Sequence, residues 1–111
     1  MTFNLRYNEP KDGENAWPHR VQRVSQTTRK HDPLLFGTQE GYYSMLTELH
    51  AELPAYNWIG IGRFGEHEDE HNAIFYKRDQ LEVLEEGHFW LSETPDVAAS
   101  KNWDSMFPRM C

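Results

Sequence analysis

The sequence predicts an α/β or α+β fold, because its expected elements follow in the order β-α-β-α-β-β-β. Of the 111 residues, 38% are hydrophobic and 14% are aromatic, which is enough apolar side chain for a globular core. No apolar run approaches the roughly 18–20 residues of a membrane span. The single cysteine, Cys111, excludes a disulfide scaffold. The chain is therefore expected to be one small domain or a piece of a larger one.

Four segments are predicted to be strands, because their apolar side chains alternate or cluster between turn residues. They span residues 2–6, 34–39, 56–62 and 73–76. Residues 81–91 are predicted to form a further, long β segment with a break near Gly87. Since the last three β segments follow one another without a helix, one face of the sheet must be covered by a partner.

Two helices are predicted between the first three strands. Pro18 suits the first turn of a helix and Asp32 precedes a proline that ends one, so the first helix covers residues 18–31. A stripe of apolar residues at helical spacing predicts a second helix over residues 42–52. Residues 63–70 are polar and charged and are predicted to form a loop.

The net charge of −7 is distributed unevenly along the chain. Residues 1–36 hold six basic and four acidic side chains, a net charge of +2, whereas residues 37–111 hold five and fourteen, a net charge of −9. An acidic chain is not expected to bind nucleic acid by a basic surface alone, because such binding is driven by counterion release to Lys and Arg. An anionic substrate is tolerated more easily near the first third.

A first candidate site combines Asn4, which follows an apolar residue of the first strand, with Gln39 and Glu40 at the end of the second. Side chains at the carboxyl ends of strands commonly build sites in open α/β sheets. Mg²⁺ needs only one or two carboxylates, with water and substrate oxygens as its other ligands. An amide such as Asn4 can orient a metal-bound water or a phosphate oxygen. Alternatively, Glu40 is an acidic residue favoured by the dipole of the following helix.

A second candidate is the run from His67 to His71, which matches the H-E-x-x-H pattern of zinc metalloproteases. That chemistry requires a helix that places the two imidazoles one turn apart. Glycines precede the run and a strand follows it at once, so we expect a loop instead. An acidic surface loop is the favoured interpretation.

A third candidate is the aromatic and basic cluster of Arg6, Trp17, Arg20 and Arg23. Arginine binds phosphate through its bidentate guanidinium fork. The alternative is that Arg20 and Arg23 lie on the solvated face of the first helix, with Trp17 packed at its start.

Two tryptophan-containing segments follow the last predicted strand, at residues 90–95 and 102–105. Polar groups beside an exposed indole suit ligand contact, because binding residues are often carried on loops. The same pattern suits a loop that is pinned by a buried indole, and both interpretations stay open at this point.

Six sequence blocks together resemble a bacterial member of the endonuclease/exonuclease/phosphatase superfamily, which is DNase I-like. They occur in order between residues 2 and 109: TFNLR at 2–6, DGENAWPHR at 12–20, GTQE at 37–40, NAIFY at 72–76, FWLSETP at 89–95 and WD…PR at 103–109. The Gln-Glu pair is a weak signal by itself, but six blocks in register are a specific one.

The resemblance implies a divalent-metal phosphoesterase on a four-layer α/β/β/α sandwich. This chain would supply one mixed sheet with helices on one face, which is half of that sandwich. Glu40 would be the metal-binding glutamate, with Mg²⁺ or Mn²⁺ as the metal. Asn4 would lie beside both the metal and the scissile phosphate, and Glu70 would orient a catalytic histidine. Glu70 then belongs to the site, and the H-E-x-x-H match is a coincidence.

The expected substrate contacts are Arg6, Trp17, Arg20 and Tyr42, and the expected ligand is a phosphate ester. Tyr42 stands where the DNA-cutting members carry a basic phosphate contact, so long DNA is not the favoured substrate. His71 stands where an aromatic residue is usual.

The family's later motifs, an Asn-x-His strand, a Gly-Asp-x-Asn block and a terminal Ser-Asp-His, do not occur in this sequence. Residues 1–111 are therefore expected to be the N-terminal part of an incomplete domain, inactive alone, whose partner is the missing C-terminal half. The alternative function is a non-catalytic module that binds an anion or a protein through the half-site.

Overall fold

The computed structural model describes residues 1–111 and contains one mixed sheet of four strands. The elements are β1 (Thr2–Asn4), a 3₁₀ segment (Pro10–Asn15), α1 (Trp17–His31), β2 (Leu35–Gly41), α2 (Tyr43–Glu52), β3 (Tyr56–Gly62) and β4 (His71–Lys77). The strand order is β1-β2-β4-β3, with β1 parallel to β2 and the other pairs antiparallel. This confirms the predicted α+β fold with a mixed sheet.

Both helices belong to one layer, because alternate residues of the strands point to a common core. In β2 and β4 the inward side chains include Phe36 and Phe75, whose rings stack with centroids 4.9 Å apart. The outward neighbours Leu35 and Ile74 are about half exposed, at 50% and 46%. The core combines side chains from both helices and the sheet: Leu5, Trp17, Val24, Phe36, Met45, Leu46, Leu49, Leu53, Tyr56, Ala73 and Phe75.

The helix boundaries follow the local signals in the sequence. Pro18 lies in the first turn of α1, and Asp32 ends the helix in a left-handed conformation at φ 43°. The backbone N–H of Asp32 donates to the carbonyl of Thr28, which satisfies one of the last open acceptors of the helix. Both helices and the first four strands therefore lie close to their predicted positions.

The long β segment expected over residues 81–91 is wrong. Residues 81–89 have no regular structure, and Trp90 forms a single antiparallel bridge with Met110. A strand is stable only where a neighbour satisfies its backbone groups, and the chain offers such a neighbour only at residues 109–111. Leu84 is consequently 89% exposed.

No helix of the structure combines the length and the apolar character that crossing a membrane would require.

Candidate active site

The carboxyl ends of β1 and β2 meet at one edge of the sheet, because the two strands are parallel and pair Asn4 with Gln39. The next residue, Glu40, lies in a β-bulge, since the two residues of β2 between Thr38 and Gly41 oppose a single residue of β4. Its φ is +59°, a left-handed conformation. A bulge re-aims a side chain locally, and here the carboxylate of Glu40 is directed towards Asn4.

Asn4 and the following backbone hold the carboxylate of Glu40. The Oδ1 atom of Asn4 accepts the backbone N–H of Arg6 at 2.8 Å, which requires that its amide N–H₂ faces the other way. That amide donates to Oε1 of Glu40 at 2.8 Å, and the backbone N–H of Tyr7 donates to Oε2 at 3.4 Å. Asn4 therefore orients Glu40 directly, and both the oxygen and the nitrogen of its side-chain amide form hydrogen bonds.

The alternative, in which the dipole of the following helix favours Glu40, gains no support from the contacts of its carboxylate. Helix α2 begins at Tyr43 with Tyr42 as its N-cap, and its first turn contains no acidic residue. The carboxylate of Glu40 accepts hydrogen bonds from Asn4 and Tyr7 instead.

The loop over residues 63–70 carries Glu70 to the same region. Arg63 is buried, with 8% of its surface exposed, and its guanidinium forms ion pairs with Glu70 and, at 3.3 Å, with Asp69. The indole N–H of Trp90 donates to the carbonyl of Arg63 at 2.7 Å and fixes the start of the loop. Glu70 is paired with an arginine here, and its expected role in orienting a histidine stays a prediction.

One cleft of about 450 Å³ collects these groups. It has three guanidinium groups, two carboxylates from the loop, Glu40 and four aromatic rings; the lining residues are Arg6, Tyr7, Glu40, Tyr42, Arg63, Phe64, Asp69, Glu70, Phe107 and Arg109. Sequence reasoning did not select Arg63, Phe64 or Asp69, because only the closed loop brings them together. Arg109 could have been selected from the sequence, because it ends the last of the six blocks that carry the family resemblance.

Two predicted substrate contacts, Arg6 and Tyr42, line this cleft. Arg6 pairs with Asp12 at 3.0 Å, and the hydrogen bond between them raises the pKa of Arg6. The ring of Tyr42 lies tilted against Tyr7, with centroids 5.8 Å apart. Burial raises the pKa of Tyr42, so its hydroxyl remains a hydrogen-bond donor at neutral pH.

The other two predicted substrate contacts, Trp17 and Arg20, stabilise the fold and do not line the cleft. Trp17 is 1% exposed, lies in the core and donates its indole N–H to Glu48 at 2.8 Å, so its position does not support contact with a substrate. The guanidinium of Arg20 donates to the carbonyls of Leu5, Arg6 and Asn15. Arg20 therefore braces the backbone that follows β1, and it does not line the cleft.

Arg20→Ala is expected to lower the free energy of unfolding by about 1–3 kcal/mol, because it removes the hydrogen-bond donor to the carbonyl of the buried Leu5. Urea denaturation followed by circular dichroism measures the change. Arg23→Ala is the matched control, since Arg23 is exposed on the same helix and forms no ion pair or side-chain hydrogen bond. Equal stability of the two variants would contradict this role of Arg20.

The H-E-x-x-H run does not form a zinc-protease site. Residues 63–70 contain turns and no helix, and His71 opens strand β4. His71 is fully buried, and its Nδ1–H donates to the carbonyl of Asp69 at 3.0 Å, since a carbonyl only accepts. Its Nε2 atom is buried with no partner. Across the chain, no three His, Cys, Asp or Glu side chains are grouped to hold a metal.

Burial is the main cause that lowers the pKa of His71 below its ordinary value of 6.5. The unfolded chain therefore binds the proton first as the pH falls. The free energy of unfolding should decrease below about pH 6.5, by up to about 1.4 kcal/mol per pH unit. This contribution is fully present above that pH. Urea titrations between pH 5 and 8 should show the slope in His19→Gln, an exposed control, and should lose it in His71→Phe.

The two tryptophan segments have different roles. Trp90 is 6% exposed and pins its loop through the bond to Arg63, so the structural interpretation is correct there. Trp103 is 69% exposed. Its loop is braced by hydrogen bonds between Ser92 and Ser100 at 2.6 Å and from the backbone of Glu93 to Asn102 at 2.8 Å.

Comparison with protein-family models and with curated proteins found no significant match. Solved structures match strongly. An endonuclease/exonuclease/phosphatase from Bacteroides vulgatus is 39% identical with a TM-score of 0.95, over 98% of this chain and 42% of that one. A family protein from Bacteroides thetaiotaomicron is 41% identical with a TM-score of 0.93, over 98% and 39%.

A mannosyl-6-phosphatase from Bacteroides thetaiotaomicron is similar to the same extent. It is 41% identical with a TM-score of 0.93, over 98% of this chain and 42% of that one. The chain thus spans about two fifths of the length of the solved structures that it matches.

Proposed function

The chain belongs to the endonuclease/exonuclease/phosphatase family, and we propose that it supplies the metal-binding half of a Mg²⁺- or Mn²⁺-dependent phosphoesterase. The remaining half of the site would come from the C-terminal part of the same domain. The observation that carries this proposal is the carboxylate of Glu40, aimed by a bulge into a cleft with three arginines.

The donor set fits a hard divalent cation. Mg²⁺ binds proteins through one or two carboxylates and keeps water and phosphate oxygens as its other ligands. Glu40 would hold the metal, while Asn4 and the backbone N–H of Tyr7 would hold Glu40. Such outer contacts orient a metal ligand and tune its affinity. When bound, the metal polarises a phosphoryl oxygen and stabilises the leaving oxygen.

The cations of the cleft would bind the phosphate group. Arg6, Arg63 and Arg109 line one cleft, and arginine binds phosphate through parallel N–H donors. Tyr42 would add a hydroxyl donor. Proton transfer needs a histidine base, which Glu70 would orient, and no histidine lines the cleft. The 111-residue chain is therefore expected to be inactive alone.

A phosphate monoester is the favoured substrate. One relative at 41% identity is named a mannosyl-6-phosphatase. The loop beside the cleft carries Glu66, Glu68, Asp69 and Glu70, whose charges repel a long polyanion such as DNA.

The test compares the full-length gene product with residues 1–111. Both are assayed for release of phosphate from a panel of monoesters and diesters with Mg²⁺, with Mn²⁺ and with EDTA. We expect the full-length product to be active with either metal and inactive with EDTA, and the short chain to be inactive. Hydrolysis that is unaffected by EDTA would contradict the proposed metal dependence.

The alternative function is a module that binds an anion without catalysis. It is favoured by one observation, that the cleft has three arginines and no histidine to serve as a base. A stop codon directly after Cys111, together with binding of inorganic phosphate that Arg109→Ala weakens, would support the module. An open reading frame that encodes the missing histidine and aspartates would support the enzyme.

A further inference from the structure

We propose that Phe64 and Phe107 form an aromatic rim that binds the ring of a sugar phosphate at the mouth of the cleft. The inference rests on the proposed function, because it names the substrate class and the residues that select it at the same site. The two residues would contact the alcohol portion of the ester, while the arginines contact its phosphate.

The position of the two rings supports such contact. Phe64 and Phe107 are 42% and 47% exposed, and both line the cleft that contains Glu40 and Glu70. Aromatic side chains that line a cleft beside a few polar groups are typical of ligand sites. The cleft volume of about 450 Å³ lies within the range of about 300–1,000 Å³ for small-molecule sites.

Phe107 is held in place on both sides. The hydroxyl of Ser105 donates to the carbonyl of Phe107 at 2.6 Å, and the following Pro108 is buried. The guanidinium carbon of Arg63 lies 5.6 Å from the centre of the Phe107 ring. A ring that is already positioned loses little conformational entropy when it binds a ligand.

The backbone of Phe64 is held equally firmly, because its neighbour Arg63 is fixed. The N–H of Arg63 donates to the carbonyl of Glu70 at 3.0 Å, and its carbonyl accepts the indole of Trp90.

The chemistry of the cleft favours a sugar over a nucleic acid. The face of an aromatic ring carries partial negative charge and attracts the weakly positive C–H groups of a pyranose. The carboxylate of Asp69, with 39% of its side chain exposed, can accept hydroxyl donors. A sugar monophosphate presents one phosphate to the arginines and neutral hydroxyls to the acidic loop, whereas a polynucleotide presents a phosphate at every residue.

The experiment measures kcat and KM of the full-length gene product with mannose 6-phosphate, glycerol 3-phosphate and adenosine 5′-monophosphate. The variants are Phe64→Leu and Phe107→Leu, which keep an apolar side chain and remove the aromatic face. Phe89→Leu is the matched control, because Phe89 is 45% exposed and does not line the cleft. Phe107→Trp tests whether an aromatic face is sufficient.

We expect each leucine variant to lower kcat/KM for mannose 6-phosphate by about tenfold through KM, since the rim binds ground state and transition state alike. Turnover of glycerol 3-phosphate should change less than twofold, and Phe107→Trp should retain wild-type KM. Equal losses of kcat/KM on mannose 6-phosphate and glycerol 3-phosphate would instead show that the two phenylalanines pack against another part of the domain. That result would overturn the proposed rim. A preference for adenosine 5′-monophosphate would overturn the sugar assignment.

Saturation-transfer NMR separates this inference from the proposed function. Mannose 6-phosphate is added in EDTA, so that no turnover is needed. Saturation transfer from the protein to the ring protons of the sugar, if lost in both leucine variants, would support the aromatic rim even if the enzyme assay were negative. Absence of transfer in the wild type would overturn it, while hydrolysis of other esters would leave the phosphoesterase proposal standing.

Discussion

Glu40→Ala is expected to lower kcat/KM of the full-length gene product on a phosphate ester by about a thousandfold or more. The variant removes the carboxylate that would hold the metal, and metal stabilisation of a phosphoryl transition state amounts to several kcal/mol. Initial rates of phosphate release, measured at saturating and at limiting Mg²⁺, check the result. The loss should persist at saturating metal if the ion is no longer placed correctly.

Two further variants show whether the loss of activity is specific to the carboxylate of Glu40. Asn4→Ala removes the amide that orients Glu40, and a smaller loss of about 10–100-fold is expected, as for other outer contacts of metal ligands. Glu14→Gln is the control, because Glu14 is exposed and its side chain forms no hydrogen bond or ion pair. Full activity of Glu40→Ala would contradict the proposed metal site.

Gly62→Ala is expected to prevent folding of the site loop or to destabilise the protein by about 3 kcal/mol or more. A methyl group at the buried Gly62 would overlap the backbone carbonyl of Glu68, which is held in the turn and cannot withdraw as a flexible side chain can. The same turn carries Asp69 and Glu70, so activity should fall with stability. Thermal denaturation and urea denaturation measure the effect.

Gly87→Ala is the matched control for this prediction, because a methyl group there would meet no atom within 4 Å. It should change the free energy of unfolding by less than about 0.5 kcal/mol. If Gly62→Ala were as stable as Gly87→Ala, the close packing of the loop against the end of β3 would be wrong.

The sequence was sufficient to predict the elements that local signals define. Pro18 and Asp32 mark the ends of α1, and the alternation around Phe36 marks β2, because these signals lie within the element itself. The juxtaposition of Asn4 with Glu40 was also predictable, since parallel strands bring their carboxyl ends to one edge. The membership of the family was carried by blocks of residues in register.

The parts that could not be predicted depend on distant contacts. Arg63 becomes a site residue only when the loop closes and brings it to Glu70, and no spacing in the sequence indicates that closure. Residues 81–91 have the composition of a strand, but a strand also needs a neighbour, and the pattern of side chains does not report whether one is present. Trp17 was misplaced because an indole at a helix start suits either the core or a ligand.

The left-handed backbone at Glu40 has a consequence for the stability of the protein. A residue with a Cβ atom in this conformation costs about 1–2 kcal/mol relative to glycine, which adopts it freely. Glu40→Gly should therefore yield a protein that is no less stable and that has lost the proposed metal ligand. Directed evolution that selects for heat resistance alone would accept glycine at this position, whereas selection that also demands turnover would retain the glutamate.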